Sequence, residues 1–386
     1  MNYISLFSSA GIGCYGLLQE GFEGIASSEL LSKRLDIQKA NDKLKYSDGY
    51  ILGDIREAHI KSKLYKAIEN YKQVEEIDDI DVVVFTPPCQ GMSVANHKKN
   101  ENTIETNSLV SNALEIVSEI KPKFFISENV RSFMNTACYD RGRVKKISQA
   151  FEEYLGEDYL YESRIINFKN HGANSSRTRT LVIGVRLDLV NVISPDALYP
   201  NETEEKTLLQ VIGHLESLNN MGQISKKDIY HNFKKYREDM REWIKGVKAG
   251  FSAFDNEDLL KKPHSKDEDG NIVINTNKNG DKYKRQRWDY VAPCIHTRND
   301  ILSSQNTVHP VDDRVFSIRE IMLMMNVPSS FKWSDMDEKE LNKLSCKNKE
   351  LYLKNNEMNI RQSLGEAIPT VIIQKIAKNI KEVLNK

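Results

Sequence analysis

The sequence predicts an α/β fold: a doubly wound, mostly parallel sheet accompanied by a second, smaller domain. Three observations predict it. Short β-branched or aromatic runs alternate with helix-spaced stretches as far as residue 186. One run, "VVVF" at 82–85, is apolar on both faces, as a strand inside a covered sheet requires. Gly11, Gly13 and Gly16 follow the first run in G-x-G-x-x-G spacing and open the first helix.

The elements follow in order. "YISLF" (3–7) is the first strand, and "GCYGLLQEG" (13–21) is a helix ended by Gly21. "EGIASSE" (23–29) is the second strand, and "LSKRLDIQKAN" (31–41) carries apolar residues at helical spacing. "YILGDI" (50–55) is the third strand, before a helix rich in Lys and Glu over 57–73. "DVVVFT" (81–86) is the fourth, stopped by Pro87 and Pro88, which have no N–H for a ladder. "SLVSNALEIVSEI" (108–120) is a helix, and "KFFISEN" (123–129) is a fifth strand expected beside the fourth. "YESRIINF" (161–168) and "TLVIGVR" (180–186) complete the set.

After Arg186 the alternation stops. Residues 187–308 are polar, with one good helix, "DIYHNFKKYREDMREWIKGV" (228–247). Asp-Gly and Asn-Gly turn signals around "IVIN" predict a hairpin there. The stretch 335–361 reads as a solvated helix or linker. "QSLGEAIPTVIIQKIAKNIKEVL" (362–384) then returns to the first core as a Gly/Pro turn and an amphipathic helix. The expected domains are therefore 1–186 with 335–386, and 187–334.

Composition narrows the classes. A chain of 386 residues exceeds one ordinary core, and 39% apolar with 28% charged residues excludes a disordered protein. No apolar run approaches the ~20 residues of a membrane helix, and the N-terminus lacks a signal-peptide pattern, so a cytoplasmic location is expected. The five cysteines are scattered without a C-x-x-C pair, which argues against a disulfide framework or a zinc site; no metal is expected. Net charge is zero, so any polyanion-binding face must be local.

Three constellations carry chemistry. Gly11 and Gly13 let a backbone turn approach a nucleotide-like ligand. Glu29 ends the second strand, where an acid bonds ribose hydroxyls, and Asp54 ends the third, where it accepts from an adenine amino group. That adenosine pocket suits NAD and S-adenosylmethionine alike. Next, Cys89 in "TPPCQG" and Glu128 in "SEN" stand at neighbouring strand ends. A thiol and a protonatable carboxyl there suit covalent attack on an electron-poor ring. Finally, Arg177 and Arg179 alternate before a strand in "NHGANSSRTRTLVIG", so both would face one side and clamp phosphate or carbonyl oxygens.

Along its whole length the chain resembles the DNA cytosine carbon-5 methyltransferases, of the type found in bacterial restriction-modification systems. "FSSAGIG" (7–13) resembles the family's cofactor loop, and Glu29 and "GDI" (53–55) its ribose and adenine contacts. "PPCQGMS" resembles the nucleophile motif, "ENV" (128–130) the glutamate motif and "RTR" (177–179) the arginine motif. "HPVDDRVFSIREIMLMMNVPSSFKW" (309–333) is similar to the late motif that packs the recognition domain, through Arg314, Ser317, Arg319, Glu320 and Pro328. "QSLGEAIP" (362–369) resembles the final motif, which closes the cofactor pocket. Three positions depart: Ser9 stands for a glycine, Ser175 for a glutamine and Glu366 for an asparagine.

The resemblance implies the S-adenosylmethionine-dependent methyltransferase fold and that cofactor. It implies cofactor contacts from Phe7, Ser8, Ala10, Gly11, Ile12, Gly13, Glu29, Leu30, Asp54, Ile55, Pro87, Glu366 and Ala367. Cys89 would add to carbon 6 of a flipped-out cytosine, and Glu128 would share a proton at ring nitrogen 3. Arg179 would hold the base carbonyl, with Arg177 nearer backbone contacts. The polar, basic stretch 91–107 would close over the base. Gln90 and Ser93 would touch DNA, as would Lys284, Arg285 and Arg287 in the basic-aromatic "KYKRQRW" (282–288) of a target-recognition region. The implied partners are double-stranded DNA and, functionally, a cognate restriction endonuclease, with the enzyme a monomer. The rivals are a tRNA cytosine-5 methyltransferase, a nicotinamide-dependent oxidoreductase and a non-catalytic DNA-binding relative. The oxidoreductase leaves Cys89, Glu128 and "RTR" without roles, and intact Cys89 and Glu128 count against the last.

Overall fold

Strands β1 (Asn2–Leu6), β2 (Glu23–Glu29), β3 (Tyr50–Leu52), β4 (Val82–Phe85), β5 (Phe124–Val130), β8 (Tyr159–Asn167) and β9 (Thr178–Arg186) form one sheet in the order β3-β2-β1-β4-β5-β9-β8. The computed structural model describes residues 1–88, 107–277 and 280–384. The first five strands are parallel, and β9 runs antiparallel to both β5 and β8. Val82, Val83, Val84 and Phe85 are all buried, as a doubly covered strand dictates.

Helices cover the sheet through their apolar stripes. Helix α3 (Ala58–Glu75) buries Ile60, Leu64, Ala67, Ile68 and Tyr71, and α4 (Leu109–Ile120) buries Val110, Ala113, Leu114, Ile116 and Val117. Phe85, Phe125 and Phe151 meet with ring centroids 6.0–6.2 Å apart in this core. One hairpin was not anticipated, β6 (Ala137–Asp140) with β7 (Arg143–Lys146), followed by α5 (Ile147–Leu155). Its turn residues Arg141 and Gly142 have φ of 47° and 79°, and Lys145 and Asp140 pair at 2.7 Å beneath it.

The chain divides into two compact units. The first comprises residues 1–172, 178–203 and those from 368 on; the second comprises 173–177 and 204–367. These boundaries differ from the expected 1–186 with 335–386 and 187–334. Residues 187–203 stay with the sheet because the Tyr199 hydroxyl donates to the carbonyls of Glu162 and Leu181, 2.8 Å each. Residues 335–367 belong to the second unit. They form α10 (Glu338–Lys343) and α11 (Cys346–Glu366), whose Leu353, Ile360 and Arg361 are buried rather than solvated. The Arg361 guanidinium donates to the Phe316 carbonyl at 3.0 Å. Helix α12 (Thr370–Leu384) packs in the first unit.

The helix expected over 228–247 is helical only as α8 (Glu238–Ile244). Its first half folds back on 222–225 instead, through Phe233 N–H to the Gln223 carbonyl and Ser225 N–H to the His231 carbonyl. The Asp228 side chain also caps the Tyr230 N–H, an alternative to helix that Asp offers readily. The predicted hairpin forms between β10 (His264–Lys266) and β11 (Ile272–Ile274), turning through the Asp-Gly signal at Gly270. No helix among the described residues is long and apolar enough to cross a membrane.

Candidate active site

After β1 the backbone turns tightly through Phe7, Ser9 and Gly11, at φ of 57°, 46° and 79°. Ser9 sits in the left-handed region that glycine favours. Its peptide groups are gripped from both sides: the N–H donates to Glu29 Oε2 at 2.7 Å and the carbonyl accepts from Gln38 Nε2 at 2.6 Å. The Ser8 hydroxyl lies 2.9 Å from Ser5 Oγ and 2.8 Å from Ser27 Oγ, beneath the turn. Ala10 and Ile12 are buried in the turn. Gly16 is a packing glycine: a Cβ there would lie 2.5 Å from Gln374 N and 2.6 Å from Thr370 O of α12. Helix α1 (Tyr15–Gln19) can therefore approach α12 only without a side chain at that position.

Glu29 Oε1 accepts from Leu30 N–H at 2.9 Å and Leu31 N–H at 3.0 Å, so three backbone N–H groups in all fix the carboxylate. A carboxylate offers about four acceptor sites, which leaves capacity on Oε2. Leu30 and Leu52 are exposed at the carboxyl ends of the paired strands β2 and β3. Two acids beside exposed apolar side chains suit an adenosine, with a ribose to hold and a ring to cover. Asp54 is engaged: its Oδ1 accepts from both Arg56 N–H and Arg56 Nε at 3.0 Å. The bond from Arg56 holds its carboxyl below the usual carboxylate range. Ile55 is buried.

The pairing of β4 with β5 brings the exit of one strand to the glutamate of the other. Asn129 Nδ2 donates to the Pro87 carbonyl at 2.9 Å. Glu128 is buried, and Arg179 Nε of the neighbouring β9 lies 3.2 Å from its Oε1. Cys89, Gln90, Ser93 and the expected closing loop up to residue 106 lie outside the described residues. The arginine pair does not form one clamp. Arg179 faces a carboxylate, whereas buried Arg177 donates to the carbonyls of Ile295 (3.3 Å), Gly365 (3.1 Å) and Glu366 (3.2 Å). Glu366 itself is exposed and Ala367 buried.

Residues 1–382 match the family of C-5 cytosine-specific DNA methylases. The chain belongs to that family. Type II methyltransferase M1.HgaI of Avibacterium volantium is 29% identical over 98% of this chain and 97% of its own. Type II methyltransferase M1.HphI of Haemophilus parahaemolyticus is 26% identical over 98% and 86%. In fold the chain is similar to the S. pombe Dnmt2 methyltransferase (TM-score 0.57, 14% identity, 100% of both chains). It is likewise similar to the Entamoeba histolytica methyltransferase EhMeth (TM-score 0.55, 13% identity, 100% and 99%). The protein is thus a DNA cytosine-5 methyltransferase that uses S-adenosylmethionine, and the residues around Glu29 fit the adenosine of that cofactor.

In this methyltransferase the basic-aromatic stretch is not one surface. Arg285 is buried and donates to the carbonyls of Val247 (2.7 Å), Ile244 (2.8 Å), His309 (3.0 Å) and Asp312 (3.1 Å). With Asp313 at 2.5 Å as well, its donors are taken up inside the unit, and the expectation that it touches DNA is corrected. Tyr283 is buried too. Lys284 pairs with Asp281 at 3.0 Å, and partly exposed Arg287 lies over the Tyr290 ring, 4.1 Å from its centroid. Sequence reasoning missed Gln38 and Lys43, which support the cofactor turn. Nothing in their local sequence, "QKANDKLK", sets them apart from solvated polar residues.

Proposed function

We propose that this DNA cytosine-5 methyltransferase attacks the base with Cys89 and activates it with Glu128 and Arg179, while its second unit selects the target. The observation that supports this most is the Glu128–Arg179 pair, with Asn129 tied to the Pro87 carbonyl two residues before Cys89. Carbon 5 of cytosine is a weak nucleophile. The Cys89 thiolate forms a bond to carbon 6, and the displaced electron pair raises density at carbon 5. Glu128 supplies the proton that nitrogen 3 takes up, and Arg179 both orients that carboxyl and stabilises the carbonyl oxygen. S-adenosylmethionine, when bound, supplies the methyl group. Once carbon 5 carries it, loss of the carbon 5 proton to water breaks the carbon–sulfur bond and restores the thiolate, and nitrogen 3 returns its proton to Glu128.

Target selection is assigned to the region 187–334, most of which falls in the second unit. Lys284 and Arg287 serve there as DNA contacts, with Gln90 and Ser93 beside the base. Both relatives named above are Type II methyltransferases, which supports a role in protecting DNA from a cognate restriction endonuclease. A single chain carries all these parts, so a monomer suffices.

Duplex DNA containing 5-fluorocytosine should trap a covalent adduct with the wild type and none with Cys89→Ala, which should still bind S-adenosylhomocysteine. An adduct that survives Cys89→Ala would overturn the assignment.

A further inference from the structure

A buried cation sits under the cofactor turn. Lys43, just after α2 (Ser32–Ala40), is buried, and its Nζ donates to Ser5 Oγ at 2.7 Å, Gln38 Oε1 at 3.1 Å and Ser27 Oγ at 3.2 Å. All three acceptors are neutral. Ser27 Oγ also donates to Gln38 Oε1 at 2.5 Å. An ammonium has donors only, so every group around it must present an oxygen. The Gln38 amide therefore points Oε1 at Lys43 and Nε2 at the Ser9 carbonyl, the 2.6 Å bond that grips the left-handed Ser9. Lys43 also backs the turn directly, since a Cβ on Gly11 would lie 3.2 Å from its Cδ.

We propose that Lys43 is a positioning residue whose charge, relayed by Gln38, holds the Ser8–Gly11 turn in the form that binds S-adenosylmethionine. This rests on the reading of that turn as the cofactor loop. Without its charge the amine can accept a hydrogen bond as well as donate. The Gln38 amide and the serine hydroxyls are then free to reorient, and Ser9 loses the bond that offsets its strain.

The amine is placed to lose that charge within an accessible pH range, because burial lowers its pKa to about 8. The other titratable groups facing it do not mask this. Burial pushes the Cys14 thiol and the phenols of Tyr3 and Tyr50 up, while Cys14 and then Glu29 support the cation without offsetting its burial. Fold stability and cofactor binding should therefore respond to pH in opposite senses. A free lysine titrates near ~10.4, so between about 8 and that value the unfolded chain holds the extra proton and folding becomes more favourable as pH rises. Cofactor affinity should fall over the same range.

Equilibrium binding of S-adenosylhomocysteine to the full chain, from about pH 7 to about pH 9.5, tests this. Wild-type affinity should drop roughly tenfold, the effect of a one-unit rise in the amine's pKa on binding, while the thermal midpoint does not fall. Lys43→Met should bind more weakly at neutral pH and lack the drop. Lys43→Arg, charged throughout, should bind equally well at both ends. A flat wild-type affinity, or the same drop in Lys43→Met, overturns the proposal, and the first of these needs no variant to fold. If S-adenosylhomocysteine binds at no pH, the cofactor reading itself fails.

Discussion

The two units hold themselves together by different means. In the first, a mostly parallel sheet satisfies the backbone by its ladders and the core is aliphatic and aromatic. In the second, much of the backbone lies outside ladders and helices, and buried arginines collect the carbonyls. Arg285 donates to four of them, and Arg361 and Arg177 do similar work. At its centre Arg314 meets both oxygens of Glu320 at 2.7 Å, with Asp312 and His309 beside them. Burial opposes the Glu320 charge, yet Arg314 outweighs it and holds that carboxyl far below its usual range. A unit freed from regular pairing can vary its surface, but each buried charge depends on its partner.

The largest effects should come from breaking each unit in its own way. Phe125→Ala, a cavity in the sheet core, and Glu320→Ala, which leaves buried Arg314 with Asp312 as its one carboxylate partner among the described residues, should each cost about 3–5 kcal/mol in denaturant titration. Only the second should be largely rescued by removing the whole charge cluster, as in an Arg314→Met, Glu320→Leu, Asp312→Asn triple variant. Failure of that rescue would mean that the cluster contributes more than mutual compensation.

Acid should separate the units next. Burial pushes His309 down to about 4, and its Nδ1 already accepts the Asp312 N–H at 2.9 Å. An unfolded histidine takes its proton near ~6.5. Between those values the unfolded chain binds the extra proton, so stability falls with pH by on the order of 3 kcal/mol. All three tryptophans, Trp243, Trp288 and Trp333, lie in the second unit. Tryptophan emission on acidification should therefore change before the far-ultraviolet signal of the sheet does; coincident transitions would contradict the contrast.

The smallest effects concern neighbours in sequence. Arg285→Ala should destabilise by roughly 2–3 kcal/mol, since buried carbonyls lose their donors. Arg287→Ala should leave stability within about 0.5 kcal/mol and lower the salt slope of DNA binding by about one. If Arg285→Ala instead changed only DNA affinity, the buried role given to it would be wrong.

What could be read in the sequence follows the same divide. The parallel strands were legible because each buries a short apolar run of period two or one. The pairing of β4 with β5, which carries Glu128, followed from simple winding. The 228–247 stretch misled because its apolar residues have helical spacing while Asp228 caps a turn. Arg285 and Arg287 are the same residue type two positions apart, and only tertiary carbonyls decide which one is inside. Likewise, nothing local in "QKANDKLKY" marks Lys43 as buried.

Gly16 has one more consequence, which concerns time. Its partners Thr370 and Gln374 are made long after it, and the bond from Thr370 Oγ1 to the Ile12 carbonyl spans 358 residues of chain. Contacts this distant in sequence form late, after the loop between them has closed. The first nucleotide-binding turn to leave the ribosome is thus among the last to be completed. A polypeptide interrupted before α12 would carry the cysteine, glutamate and arginine motifs and still lack the partners of that turn, so chains cut there should be born inactive rather than unregulated.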